Sequence, residues 1–171
     1  MADVVRRPPR VLVVGELNPY GADPRAALYH LPRGASGDRL RVLLGLSDSA
    51  YARRLAKVNL CTGRWDIHAA RARAAYLLDT SREEVIVLLG ARVRDAFHRG
   101  PDFFNTTTYH MPGFDDRILL GLPHPSGRCL VWNDPAARRR ATEALRALAP
   151  WIYHEAVGDA ARSTGRGVEG P

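Results

Sequence analysis

The segment VLVVGELNPYG, residues 11–21, begins as a continuous apolar run and ends in polar and conformationally stiff residues. Its β-branched part, 11–15, is typical of a strand that is covered on both faces. A second run, VIVLLG (85–90), precedes the helical pattern ARVRDAFHR (91–99). A third, RILLGLPHPSG (117–127), leads into a loop. Buried strands that alternate with helices predict a parallel sheet in an α/β domain.

Three further segments carry apolar residues at helical spacing. They are GDRLRVLLGL (37–46), DSAYARRLAKV (48–58) and IHAARARAAYLLDT (67–80). Asp48 is expected to cap the second of these helices. A last helix is predicted over 134–152, because Asp134 is a good cap and Pro135 suits the first helical position. The segment 101–116 is expected to be irregular.

The length of 171 residues suits one domain with a single core. Residues 1–157 are predicted to form this domain, and the Gly-, Arg- and Ser-rich residues 158–171 a disordered tail. No apolar run approaches the roughly 20 residues of a membrane span, and no secretory signal is recognisable. Cys61 and Cys129 are too few for a four-thiolate metal or iron–sulfur site. A cytoplasmic protein with two free thiols is therefore expected.

The charge of the chain indicates a class of partner. The formal net charge is +7, and almost all of the cations are arginine, since Lys57 is the only lysine. Arginine presents a planar, permanently charged fork that suits phosphate. A GC-rich genome would explain arginine in place of lysine, but not the excess of cations over anions. The composition therefore predicts a polyanionic partner, nucleic acid first.

Polar residues stand at the ends of the predicted strands. GELNPY (15–20) follows the first strand, and Asn59 interrupts the short predicted strand VNLC (58–61). HPSG (124–127) follows the last strand. The carboxyl ends of parallel strands meet at one edge of a sheet, so these groups are expected to converge on one pocket. Two amides, an imidazole, a carboxylate and aromatic rings suit hydrogen bonding to a flat polar ring.

The order of these motifs resembles the uracil-DNA glycosylase superfamily over about residues 11–150. VVGELNPYG resembles its first motif, VNLC its second and LPHPSG its third, while VIVLLGARV and PRGASGDRL are similar to two other stretches. The resemblance implies a three-layer α/β/α sandwich with a mainly parallel central sheet. The iron–sulfur branch does not fit, because its four ligating cysteines are missing.

The resemblance also implies catalytic roles. Asn18 would hold the attacking water, and Glu16 is the nearby carboxylate that could act as general base. His124 would donate a hydrogen bond to the departing base as negative charge develops on it. The first motif has one extra residue between Gly15 and Pro19 compared with the superfamily. This leaves open whether Glu16 or Asn18 faces the sugar.

Five residues are candidates for binding the base itself. Asn59 would read the donor and acceptor edge of a uracil-like ring. Pro19 and Tyr20 would form a rigid corner in which Tyr20 walls the C5 side of the ring. Tyr29 or His30 would be the stacking platform.

The flanking DNA would be bound by the loop after the last strand. Ser126 and Gly127 would offer a hydroxyl and a backbone N–H to a phosphate next to the flipped nucleotide. Arg128 would enter the gap left in the duplex or neutralise a phosphate.

The predicted function is that of a monofunctional DNA glycosylase. It would flip a uracil or another modified base out of DNA, hydrolyse the N-glycosidic bond and leave an abasic site. The resemblance implies no metal and no organic cofactor; DNA with a modified or deaminated base is the expected partner, and a monomer without membrane contact the expected form. Two alternatives stay open. One is a non-catalytic module of the same fold that captures a modified base or nucleic acid, and the other is a hydrolase of free nucleosides or nucleotides.

Overall fold

A computed structural model of the chain describes residues 10–98, 100–110 and 116–154. It has an α/β fold around a five-stranded sheet, as the alternation of strands and helices predicts. The strands are β1 (Val11–Asn18), β2 (Leu55–Thr62), β3 (Val85–Leu89), β4 (Thr106–Tyr109) and β5 (Arg117–Leu122). Their order is β2-β1-β3-β5-β4, and only β4 is antiparallel to its neighbour. The expected domain end at residue 157 and the tail 158–171 lie outside the described residues.

Helices cover both faces of this sheet. They are α1 (Ser36–Leu43), α2 (Asp48–Arg54), α3 (Ile67–Thr80), α4 (Ala91–Ala96) and α5 (Pro135–Leu148). Short 3₁₀ turns lie at Pro24–Ala26, Leu130–Asn133 and Pro150–Tyr153. Within the described ranges, no helix combines the length and the apolar character needed to cross a membrane.

The alternating side chains of β1 divide the core into two halves. Val11 and Val13 pack with residues of α1, α2 and α5, whereas Leu12 and Val14 pack with α3 and α4. All four are buried. Coverage on both faces explains why β1 reads as an uninterrupted apolar run, and it is compatible with a three-layer sandwich.

The boundary between α2 and β2 differs from the prediction. The helix expected over 48–58 ends at Arg54, and the strand expected over 58–61 already begins at Leu55. Leu55 pairs in parallel with Val11 of β1, a contact that local periodicity does not reveal. Ser47, rather than Asp48, caps α2, because its hydroxyl accepts the Ala50 N–H at 3.1 Å.

Two further boundaries are corrected by the structure. Part of the segment expected to be irregular forms β4, which pairs antiparallel with β5 at the edge of the sheet. All four residues of β4 are exposed, so it lacks the apolar alternation that would have predicted it. The last helix begins at Pro135 with Asp134 as its cap, as expected, but ends at Leu148 rather than at residue 152.

Candidate functional site

A cleft of about 560 Å³ opens where β1 and β2 end and the loop after β5 begins. Four parts of the chain contribute to its lining: the end of β1, the loop and helix start over 22–37, β2, and the loop after β5. Their lining residues include Glu16, Asn18, Pro19, Leu28, Tyr29, Gly37, Asn59 and His124. The expected convergence of the strand-end groups on one pocket thus holds for Glu16, Asn18, Asn59 and His124.

A pair of amides forms the floor of this cleft. Asn59 Nδ2 donates a hydrogen bond of 2.8 Å to Oδ1 of the buried Asn18. The parallel register places Gly15 of β1 opposite Asn59 of β2, and an added Cβ at Gly15 would overlap Asn59 Oδ1. Glycine is therefore needed at this point for the two strands to hold the amide pair. Asn59 Oδ1 is buried and has no hydrogen-bond partner among the described residues. A buried acceptor of this kind normally has a partner, so a ligand N–H would satisfy it.

Leu28 covers the amide pair from the loop side. Its side chain would lie 3.2 Å from a Cβ at Gly15, and its backbone has a φ of +52°, which is rare for leucine. The Tyr51 hydroxyl donates to the Leu28 carbonyl oxygen at 2.7 Å, and Gly37 packs so closely that a Cβ there would overlap the same oxygen. Burial raises the pKa of Tyr51, so its phenol remains a donor. Strained backbone of this kind costs about 1–3 kcal/mol and is concentrated at functional sites.

His124 is held as a neutral imidazole with one N–H donor. The Ser126 backbone N–H donates to His124 Nδ1 at 3.2 Å, so the ring proton is on Nε2. Burial lowers the pKa of His124, while the Glu16 carboxylate acts in the opposite direction. The Trp132 indole N–H donates to the His124 carbonyl oxygen at 3.0 Å. Gly90, with a φ of +91°, lies directly behind the ring, since a Cβ there would be 3.1 Å from His124 Cβ.

Glu16 and Asn18 have different partners at the end of β1. The Glu16 carboxylate accepts a 2.6 Å hydrogen bond from Arg92 of α4 and forms an ion pair with it. Asn18 belongs to the amide pair. Both residues line the cleft, but only Asn18 is bonded to Asn59.

The structure places only some of the ring-bearing residues expected around the base in the lining of the cleft. Tyr29 and Pro19 line the cleft. Tyr20 is 75% exposed and lies over Gly63, where a Cβ would overlap its ring, so it lies outside the cleft lining. The buried His30 also lies outside this lining and packs edge-on against Tyr29, with ring centroids 4.8 Å apart.

Beyond His124, the loop after β5 lies beside the cleft rather than in its lining. Ser126 contacts the imidazole through its backbone, and Arg128 is exposed. The Arg39 guanidinium lies over Gly127, where a Cβ would overlap Nη1. Leu130 is 75% exposed at the start of the following 3₁₀ turn. Leu28 of the cleft lining was missed as a site residue, because no short motif marks it.

An ion network fixes the loop that leads into α1. Arg33 and Arg41 each pair with Asp38 and Asp48 at 2.9–3.0 Å. The Gly34 N–H donates to Asp38 at 2.8 Å; this bond and the Arg33 guanidinium lower the pKa of Asp38 to about 2. The network thereby holds the start of α1 against the cleft.

Comparison with protein-family models gives no match to this chain, and neither does comparison with curated proteins. Within the described parts of the chain, no group of three or more His, Cys, Asp or Glu side chains is placed to hold a metal ion. The polar groups that do meet are amides, a neutral imidazole and an ion-paired carboxylate.

Proposed function

We propose that the cleft binds a flat, hydrogen-bonding ring, and that the ring is a base of nucleic acid. One observation carries this proposal: Asn59, whose buried acceptor Oδ1 has no partner among the described residues, lines the same cleft as the neutral His124 donor. A ring with an N–H beside a carbonyl oxygen, as in uracil, supplies the complement to both groups. The net charge of +7 favours a base that is attached to a polyanion.

The particular activity that we propose is that of a monofunctional DNA glycosylase of the uracil-DNA glycosylase type. It hydrolyses the N-glycosidic bond of uracil or another modified base that has been flipped out of DNA. The strand-end motifs and their meeting in one cleft support this assignment. We expect the protein to act as a cytoplasmic monomer on DNA that carries a modified or deaminated base.

The proposed reaction is a hydrolysis in which the base leaves as an anion. The C1′–N bond breaks first, and the sugar becomes oxocarbenium-like. The His124 Nε2–H stabilises the negative charge that develops on a ring oxygen. Asn18 Oδ1 accepts from Asn59 and has a second lone pair with which to orient a water. The water oxygen bonds to C1′, and the water's proton is finally taken up by the base.

Glu16 is the second polar group near the sugar in this proposal. An amide is not a general base, so Asn18 orients the water without taking its proton. The Glu16 carboxylate supplies negative charge near the sugar and accepts the proton before it passes to the base. Its ion pair with Arg92 keeps the carboxylate in place.

One observation favours a second candidate, a module that captures a modified base without cleaving it. The group bonded to Asn59 is an amide, and the only carboxylate among the lining residues is already paired with a guanidinium. Such a cleft has a complete hydrogen-bonding set for a base even without an activated water.

End-labelled oligonucleotides test the two candidates. They carry uracil, hydroxymethyluracil, hypoxanthine, a thymine mismatch or a modified cytosine, and alkali converts abasic sites into strand breaks. Breaks are expected with the parent protein and should be strongly reduced in Asn18→Ala and His124→Ala. The exposed residues Asn133 and His68 provide matched controls, and their alanine variants should cleave like the parent.

Three results would contradict the proposal. Undiminished breaks in Asn18→Ala and His124→Ala would refute the residue assignments. Tight binding of one modified base without breaks would replace the glycosylase by the capture module. Hydrolysis of free nucleosides, with no breaks in any oligonucleotide, would favour an enzyme of nucleoside metabolism.

A further inference from the structure

A second groove, away from the cleft, combines arginines with exposed apolar surface. It has a volume of about 320 Å³ and lies between the end of α1 and one side of α5. We call it the arginine groove. Its lining includes Arg138, Arg139 and Arg146 of α5 and Val42 and Leu43 of α1.

We propose that the arginine groove binds backbone phosphates of the nucleic acid strand whose base enters the cleft, and that Arg138 positions His124 through Trp132. The part of this inference that places a base in the cleft rests on the proposed function. Binding of a nucleic acid backbone in the groove requires no catalysis.

The charge of the groove favours phosphate. Three arginines and one carboxylate, Glu143, give its lining a net charge of +2. Arg138, Arg139 and Arg146 are all exposed. Guanidinium groups bind phosphate oxygens with two parallel hydrogen bonds, which suits a phosphodiester. Val42 is 59% exposed beside them and offers apolar contact to a sugar.

A chain of hydrogen bonds connects the groove to the cleft. Arg138 Nε donates to the Trp132 carbonyl oxygen at 2.7 Å, and the Trp132 indole N–H donates to the His124 carbonyl oxygen at 3.0 Å. The first bond uses Nε, so the two terminal nitrogens of Arg138 are available to a phosphate in the groove. A phosphate bound there would fix Arg138 and, through the buried Trp132, the backbone of His124.

The groove and the cleft are also neighbours along α1. Gly37 lines the cleft and Val42 lines the groove, and five helical residues span about 7.5 Å. This distance corresponds to about two stacked nucleotides, whose rise along the axis of a B-form strand is roughly 3.4 Å each. Arg39 lies between them in sequence, with its guanidinium over Gly127 of the loop after β5. A strand with one base in the cleft can therefore place its next phosphates at Arg39 and then in the arginine groove.

Salt-dependent binding tests the phosphate site. Fluorescence anisotropy would measure the Kd of a labelled 16-nucleotide single strand without modified bases, at several KCl concentrations. Removing two phosphate contacts in Arg139→Ala/Arg146→Ala should reduce the slope of log K against log [salt] by about 1.4. At 0.15 M KCl this corresponds to a Kd about 14-fold higher. Binding of a mononucleotide, which is too short to reach from the cleft to the groove, should change by less than about 2-fold, and a larger loss would contradict the proposed path.

The matched control is Arg71→Ala/Arg82→Ala, which removes the same charge near α3 on the opposite face of the sheet. Both of these arginines are exposed. An equal loss of slope in this control would overturn the inference, because net charge alone would explain it. An unchanged slope in Arg139→Ala/Arg146→Ala would overturn it as well. Binding to poly-glutamate is measured with the same variant. If Arg139→Ala/Arg146→Ala loses binding to poly-glutamate but keeps its binding to nucleic acid, the groove is a site for acidic protein and the inference is overturned.

The link to His124 has a separate readout. NMR titration of the His124 imidazole should show a pKa closer to its ordinary value of 6.5 in Arg138→Ala, because the backbone that keeps the ring buried is released. Arg139→Ala should leave this titration unchanged. An unchanged His124 titration in Arg138→Ala would refute the link. If the slope of log K against log [salt] falls in Arg139→Ala/Arg146→Ala but no substrate is cleaved, the glycosylase proposal is refuted and the phosphate site in the groove is supported. If substrate is cleaved but the slope is unchanged, the phosphate site is refuted and the glycosylase proposal is supported.

Discussion

Gly15→Ala tests whether the amide pair depends on the close approach of β1 and β2. An added Cβ would overlap Asn59 Oδ1 and would lie only 3.2 Å from the Leu28 side chain. Ordinary contact would require the Asn59 amide to move by about 1 Å. The bond from Asn59 Nδ2 to Asn18, now 2.8 Å long, would then exceed hydrogen-bonding distance.

Two measurable losses are expected from this displacement. Overpacking of about 1–3 kcal/mol and loss of a buried hydrogen bond of about 1 kcal/mol should lower the free energy of unfolding by about 2–4 kcal/mol. Urea unfolding followed by circular dichroism measures this change. If the cleft is a glycosylase site, cleavage of the best oligonucleotide should fall by up to about 100-fold, a loss that a 1 Å misplacement can cause.

Val14→Ala provides the control for general destabilisation. Val14 is buried on the opposite face of β1 and packs with α3 and α4. Its truncation should cost about 1–3 kcal/mol and leave cleavage near the parent rate. A loss below about 0.5 kcal/mol in Gly15→Ala would refute the reasoning about strand approach. An equal fall in cleavage for both variants would show that stability, rather than the amide pair, controls the rate.

Three further predictions concern the supports of the cleft. Tyr51→Phe removes the donor to the Leu28 carbonyl oxygen and should cost about 1–3 kcal/mol in urea unfolding; a change under about 0.5 kcal/mol would contradict this role. The pKa of Asp38 is lowered from its ordinary value of 3.8 to about 2, so its contribution to stability is present above pH 3.8 and is lost as the pH falls towards 2. The free energy of unfolding of Asp38→Asn should therefore depend less on pH in that range. The folded-state pKa of His124 lies below 6.5, so the unfolded state binds the proton first and the free energy of unfolding should decline below pH 6.5. Unfolding measured at pH 7 and pH 5 should show a smaller decline in His124→Gln.

The buried strands were predictable because their signal is local. Residues 11–14 and the strand Val85–Leu89 are apolar at every position, which is sufficient to predict covered strands of a parallel sheet. The start of β2 and the whole of β4 were not predictable in this way. Leu55 is placed by its pairing with Val11, and the exposed β4 by its pairing with β5. Pairing between distant segments leaves no periodic pattern in either one.

The cleft was predictable where its residues follow strands, and not where they are placed by loops. Asn18 and His124 come at strand ends, and the topology brings them to one edge of the sheet. The position of Leu28 depends instead on a hydrogen bond from Tyr51, 23 residues later. Tyr20 was expected in the pocket, but packing on Gly63 directs it outside the lining. Side chains of this kind take their direction from contacts that no short motif contains.

The strand order has a consequence for the growing polypeptide. Asn18 and Asn59 lie on adjacent strands, so both amides are available once the first 62 residues have been made. His124 follows 62 residues after that point, and the strand before it, β5, must dock beside β3. At about 5–20 residues per second, ribosomes need roughly 3–12 s for that interval. During this time the nascent chain holds both amides without the imidazole of His124, so the cleft is assembled only after β5 and the loop that follows it have been made.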